Sequence, residues 1–168
     1  MAFYTAMQRQ VINQMLKLVS SDDKAKIVRA FRLAEKILNS LLRDSGKRKD
    51  LTDQTGMFAP VTVLMSPTMR CNLTCDGCYA AEYSTDQDLD RGLLQKIVDE
   101  GNDMGVYLFT MLGGEPFMYD GLLDCARHNQ DAYFQVFTNG TLLDQSLVDE
   151  LAEVGNVAPC SASRVRRR

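Results

Sequence analysis

The stretch Ser66-Pro67-Thr68-Met69-Arg70-Cys71-Asn72-Leu73-Thr74-Cys75-Asp76-Gly77-Cys78-Tyr79-Ala80 places three of the chain's five cysteines within eight residues, in the spacing CxxxCxxC. Thiolates are soft ligands and suit zinc or iron–sulfur clusters. Structural zinc usually takes four protein ligands, cysteine and histidine in paired motifs. The one histidine, His128, lies fifty residues beyond Cys78. A cubane cluster has four iron corners and normally takes four cysteines. Three cysteines leave one iron open, and an open metal position marks a catalytic rather than a structural site. The spacing favours a cluster. A zinc knuckle completed by Cys125 or Cys160, or three unligated thiols, is the plainer alternative.

Around this loop the chain alternates short apolar runs with amphipathic ones. PVTVLMS (60–66) reads as a buried strand directly before the cysteines. Residues 88–102 carry Leu89, Leu93, Leu94, Ile97 and Val98 at helical spacing. VYLFTML (106–112) is a second strand, ending in Gly113-Gly114-Glu115-Pro116, with a helix expected over 121–129. YFQVFT (133–138) is a third strand, closed by Asn139-Gly140, with its helix over 144–154. Residues 157–159 read as the start of a fourth strand. Strand, loop and helix in this order predict an α/β fold, a partial (β/α) barrel of three to four βα units. The distinctive residues follow strands one, two and three, the edge where parallel α/β folds bind ligands.

Further out the sequence is less specific. Residues 1–43 show two apolar stripes, Met7, Val11, Met15, Leu18 and Val19, then Ile27, Phe31, Ala34, Leu38, Leu41 and Leu42. They predict an N-terminal helical hairpin with Ser21 capping its second helix. Residues 44–57 read as a polar linker whose Lys47-Arg48-Lys49 run is solvated. The barrel segment is taken as 58–159 and a basic tail as 160–168. The 168 residues are 45% hydrophobic and 24% charged, a globular balance, with a net charge of −3 that advertises no nucleic-acid partner. No apolar run is long enough to cross a bilayer, and no secretory signal is visible, so a cytoplasmic protein is expected. Cysteines in that compartment are ligands or thiols rather than disulfides. Cys125 reads as a buried small hydrophobe and His128 as a surface residue. Asp86, Asp88 and Asp90 read as capping and solvated carboxylates.

Ser66 to Ala80 resembles the signature of the radical S-adenosylmethionine (radical SAM) enzymes. Gly113-Gly114-Glu115-Pro116 after the second strand is similar to that family's GGE-type motif, and Thr138-Asn139-Gly140 after the third resembles its TNG ending. The likeness covers 58–159. It implies a [4Fe–4S] cluster held by Cys71, Cys75 and Cys78, with S-adenosylmethionine on the fourth iron. Reductive cleavage of that cofactor would give a 5′-deoxyadenosyl radical that abstracts hydrogen from a substrate. It further implies an electron donor such as flavodoxin or ferredoxin. Gly113 and Gly114 would let the backbone approach a ligand closely, and Glu115 would accept from the methionine ammonium. Pro116 would fix the turn's exit, Thr138 and Asn139 would contact the ribose or carboxylate, and Tyr79 would pack near the cluster or adenine. Gly77 stands where many members carry an aromatic residue, which removes one adenine contact. The abrupt passage into CSASRVRRR is read as the mark of a truncated or frameshifted product, with a real basic tail as its alternative. An uncovered sheet edge would then promote self-association. An inactive iron–sulfur or zinc-binding protein is the alternative function.

Overall fold

A computed structural model describes residues 45–161, with Glu35 and Leu38 before them. The expected hairpin over 1–43 and most of the basic tail lie outside the described residues. The chain from residue 45 runs through helix α1 (Ser45–Thr55), strand β1 (Thr62–Met65), helix α2 (Arg91–Asp103) and strand β2 (Leu108–Met111). It continues through helix α3 (Leu122–His128), strand β3 (Tyr133–Thr138), helix α4 (Gln145–Val154) and strand β4 (Val157–Ser161). The four strands form one parallel sheet in the order β1-β2-β3-β4. This is the α/β pattern of a partial (β/α) barrel, as the alternation of strand and helix signals anticipates.

The strands form because apolar and β-branched side chains are needed on both faces of a parallel sheet. Val63, Phe109, Phe134 and Val157 lie in register across it, as do Met65, Met111 and Val136. The helices cover these rows with Leu94 and Val98 of α2, Leu122, Cys125 and Ala126 of α3, and Leu151 and Val154 of α4. Phe109 and Phe134 stack at a centroid distance of 5.6 Å. Asp90 and Asp144 start α2 and α4 by accepting hydrogen bonds from the backbone N–H of Leu93 and Leu147, each at 2.9 Å. On the sheet's other face Leu64, Thr110, Gln135 and Ala158 align across all four strands.

Two expectations need correction. Residues 45–55, read as linker, form α1. The segment carries almost no apolar stripe, so periodicity could not find it. Arg48, expected in solvent, is 9% exposed and donates to the Gly105 carbonyl in the turn before β2. The Thr52 hydroxyl accepts from Ala59 N–H at 3.2 Å, tying the helix to the approach to β1. Second, the fourth strand runs past 159: Cys160, assigned to the tail, pairs with Phe137 in β4, and Gln135 Nε2 donates to its sulfur at 3.5 Å. Among the described residues, no helix is long and apolar enough to cross a membrane.

Candidate functional site

Beyond the sheet's carboxyl edge, the chains leaving β1 and β2 keep running side by side. Leu112 N–H donates to Met65 O at 2.9 Å, Gly114 N–H to Thr68 O at 3.0 Å and Glu115 N–H to Arg70 O at 2.8 Å. This approach leaves no room for side chains on the second strand's exit. A Cβ on Gly113, whose φ is +107°, would sit 2.3 Å from Thr68 O, and one on Gly114 would sit 2.1 Å from Arg70 O. The glycines therefore allow a close approach of the cysteine loop's own backbone.

The loop itself carries three free thiols, Cys71 exposed and Cys75 and Cys78 half-buried. Cys78 N–H donates to Cys75 O at 3.3 Å, and Gly77 adopts φ +71° in the tight turn between them. A short 3₁₀ turn, Tyr79–Glu82, follows. Half-exposed Tyr79 reaches back, its hydroxyl accepting from Gly113 N–H at 2.8 Å. Tyr79 and Tyr83 meet edge to face at 6.4 Å. The other two cysteines stand apart in the fold. Cys125 is packed in the core on α3, where burial pushes its thiol up to about 11. Burial also raises the Cys160 thiol on β4. Three unpaired thiols on one accessible loop are a donor set that suits an iron–sulfur cluster. Among the described residues no three His, Cys, Asp or Glu side chains converge on a single ion position.

The residues expected to touch a cofactor divide into two groups. Tyr79, Gly113, Gly114 and Asn139 lie beside the cysteine loop. Glu115 and Thr138 lie behind it, fully buried and 3% exposed. The Thr138 hydroxyl is 2.9 Å from both Glu115 carboxylate oxygens, to which it donates. The same carboxylate accepts from Asn139 N–H at 2.8 Å and Phe117 N–H at 3.1 Å. Three protein donors thus meet the Glu115 carboxylate, joining the turn after β2 to the turn after β3. The Thr138 hydroxyl also accepts from Gly140 N–H at 3.0 Å. The resemblance implies direct contacts with an ammonium or a ribose; in the structure the buried Glu115 and Thr138 side chains take protein partners. Pro116 is buried and begins a 3₁₀ turn, Pro116–Met118, where its fixed φ suits the first position.

A second brace escaped the sequence reading. Asp88, read as a capping or solvated carboxylate, is exposed, yet it accepts from the Thr68 hydroxyl at 2.6 Å and from Arg70 Nε at 3.1 Å, with a further Arg70 guanidinium bond to its second oxygen. Arg70 also donates to Met118 O at 2.9 Å. The hydrogen bond to Arg70 holds the Asp88 carboxyl below its ordinary range, and Asp88 in turn raises Arg70. The clasp joins the start of the cysteine loop, the entry to α2 and the turn after Pro116. No periodicity marks it.

Residues 65–162, from the end of β1 past β4, match the family model described as "Radical SAM superfamily". The chain belongs to the radical SAM superfamily. The superfamily implies S-adenosylmethionine and an iron–sulfur cluster as cofactors. Among radical SAM relatives, the chain is 33% identical over 93 residues to the tungsten-containing aldehyde ferredoxin oxidoreductase cofactor-modifying protein of Pyrococcus furiosus. That alignment covers 52% of this chain and 26% of the relative. Fe-coproporphyrin III synthase of Methanosarcina barkeri is 30% identical over 119 residues, 67% of this chain and 29% of its own length. In fold the chain is similar to SuiB of Streptococcus suis, solved bound to S-adenosylmethionine, with a TM-score of 0.53 and 24% identity. That match covers 70% of this chain and 27% of the SuiB chain. The chain therefore spans under a third of the length of these radical SAM relatives.

Proposed function

We propose that this chain forms the cluster-holding and S-adenosylmethionine-binding part of a radical SAM enzyme, with Cys71, Cys75 and Cys78 as ligands of a [4Fe–4S] cluster. The observation that carries the reading is the loop of three free thiols after β1, clamped by backbone hydrogen bonds to Gly114 and Glu115. When bound, cluster and S-adenosylmethionine together supply a 5′-deoxyadenosyl radical by reductive cleavage. The chain's own residues hold and orient. Tyr79 and the backbone of Gly113 and Gly114 wall the cofactor site. Glu115, Pro116 and Thr138 are positioning residues that fix the two turns from behind, and Arg70 with Asp88 anchors the root of the loop. A flavodoxin- or ferredoxin-type protein is the assigned electron donor. Free thiols and an oxygen-sensitive cluster suit a reducing compartment, which we take to be the cytoplasm. The open sheet edge at β4 is the assigned surface for self-association.

Anaerobic reconstitution with iron and sulfide tests the reading. The expected uptake is about four irons per chain, and Cys75→Ala should lose it. With dithionite and S-adenosylmethionine, chromatography should detect 5′-deoxyadenosine. Equal iron in wild type and Cys75→Ala would overturn the ligand assignment. Iron uptake without 5′-deoxyadenosine would favour a cluster-binding protein without turnover.

A further inference from the structure

Asn139 uses the two ends of its side chain differently. The oxygen is spent locally: Oδ1 accepts from Thr141 N–H at 2.8 Å and from the Thr141 hydroxyl at 2.6 Å. Such a bond two residues onward is what an Asn-Gly turn requires, and a turn alone would need nothing more. The nitrogen reaches across to the cysteine loop. Nδ2 donates to Asn72 Oδ1 at 2.9 Å and to Cys71 Sγ at 3.7 Å. Asn72 Nδ2 then donates to the Thr141 hydroxyl at 2.8 Å, closing a ring of Asn139, Asn72 and Thr141.

The ring settles which end of the Asn139 amide faces the sulfur. A backbone N–H can only donate, so the Asn139 atom that meets Thr141 N–H is the oxygen. The nitrogen must then face Asn72 and Cys71. The backbone holds it there as well, because Asn139 N–H is bound to the buried Glu115 carboxylate at 2.8 Å. Among the described residues Cys71 receives one other hydrogen bond, from Leu73 N–H at 3.5 Å. That one is local to the loop; the bond from Asn139 depends on β3 and its turn being in place.

We propose that Asn139 is a positioning residue that orients Cys71 and tunes the cluster through an N–H···S hydrogen bond, held in aim by the ring with Asn72 and Thr141 and by Glu115. The inference rests on the cluster assignment made above. A hydrogen bond to a ligating sulfur withdraws negative charge from it and stabilises the more reduced cluster, so the reduction potential rises. Removing the bond should lower it.

The experiment uses the full 168-residue chain, reconstituted anaerobically as wild type, Asn139→Asp and Asn139→Ala. Asn139→Asp keeps an oxygen for Thr141 N–H but exchanges the donor for a negative charge beside Cys71. Asn139→Ala removes the donor and adds no charge, so the neutral variant isolates the hydrogen bond. An EPR-monitored redox titration should give both variants a more negative midpoint than wild type. Resonance Raman should show a higher Fe–S(Cys) stretching frequency as the sulfur loses its donor. A midpoint and frequencies unchanged in a loaded Asn139→Ala would overturn the tuning role while leaving the cluster assignment intact. Failure of the wild type to take up iron and sulfide would instead overturn the cluster assignment, and the tuning role with it.

Discussion

The helix side of the sheet and its carboxyl edge are held together by different chemistry. On the helix side, Phe109, Met111, Phe134, Val136, Leu94, Val98 and Leu122 interlock without a polar bond among their side chains. At the edge, two turns and the cysteine loop are joined by a buried carboxylate, an arginine clasp, an amide ring and two glycines that let backbones touch. Apolar packing is tolerant in detail: side chains of similar size can repack. Polar fastening is not, because each buried donor or acceptor left alone loses its full desolvation cost. The residues that resemble a cofactor-binding signature are therefore, in good part, the fasteners of the loop that would hold the cofactor.

Substitution can separate the two regions. The largest effect is expected for Gly114→Ala, whose Cβ would stand 2.1 Å from Arg70 O. The loop must move away from the turn, and iron retention after reconstitution should fall to background while far-UV circular dichroism keeps its helix and strand signal. Retention equal to wild type would mean the close approach is not needed to form the site.

Next comes a matched pair in denaturant melts of the apo chain. Phe109→Ala empties a core position and should cost about 3–5 kcal/mol. Glu115→Ala removes little apolar area but strands the Thr138 hydroxyl and the N–H groups of Asn139 and Phe117. At about 1–3 kcal/mol for each buried group left unsatisfied, it should rival the core variant. A Glu115→Ala cost well under half that of Phe109→Ala would show that the edge is fastened mainly by packing.

The smallest effect belongs to the Arg70–Asp88 clasp, which is partly exposed and screened. The folded Asp88 carboxyl titrates below its unfolded value because Arg70 bonds its ionised form. Its contribution is full above the unfolded value of about 3.9 and fades as pH falls through the folded value. The stability gap between wild type and Asp88→Asn should therefore be constant near neutrality and close in acid. A gap that widens in acid would reverse the sign of the linkage.

Much of the architecture was legible in the chain because its signals are local. Strand β3 was legible at 133–138 from an apolar run and an Asn-Gly turn, and α2 from its apolar stripe over 88–102. The cysteine spacing likewise depends on neighbours within eight residues. Helix α1 was missed because its polar sequence carries no stripe, and Arg48 finds its partner only at Gly105. Glu115, Thr138 and Asn139 were marked as important, yet their partners could not be read: Glu115 meets Thr138 across β2 and β3, and Asn139 meets Cys71 from the far end of the unit.

What the amino-acid order determined alone was the alternation of strands and helices from β1 to β4, the parallel α/β class and the three thiols on one loop. Each follows from periodicity, turn chemistry or spacing over a few residues. Only the tertiary structure decided that Gly113 and Gly114 receive a neighbouring backbone, that Glu115 faces inward, and that one nitrogen of Asn139 faces Cys71. Those outcomes depend on strand register, which brings distant turns to one edge and leaves each buried polar group the partners it finds there.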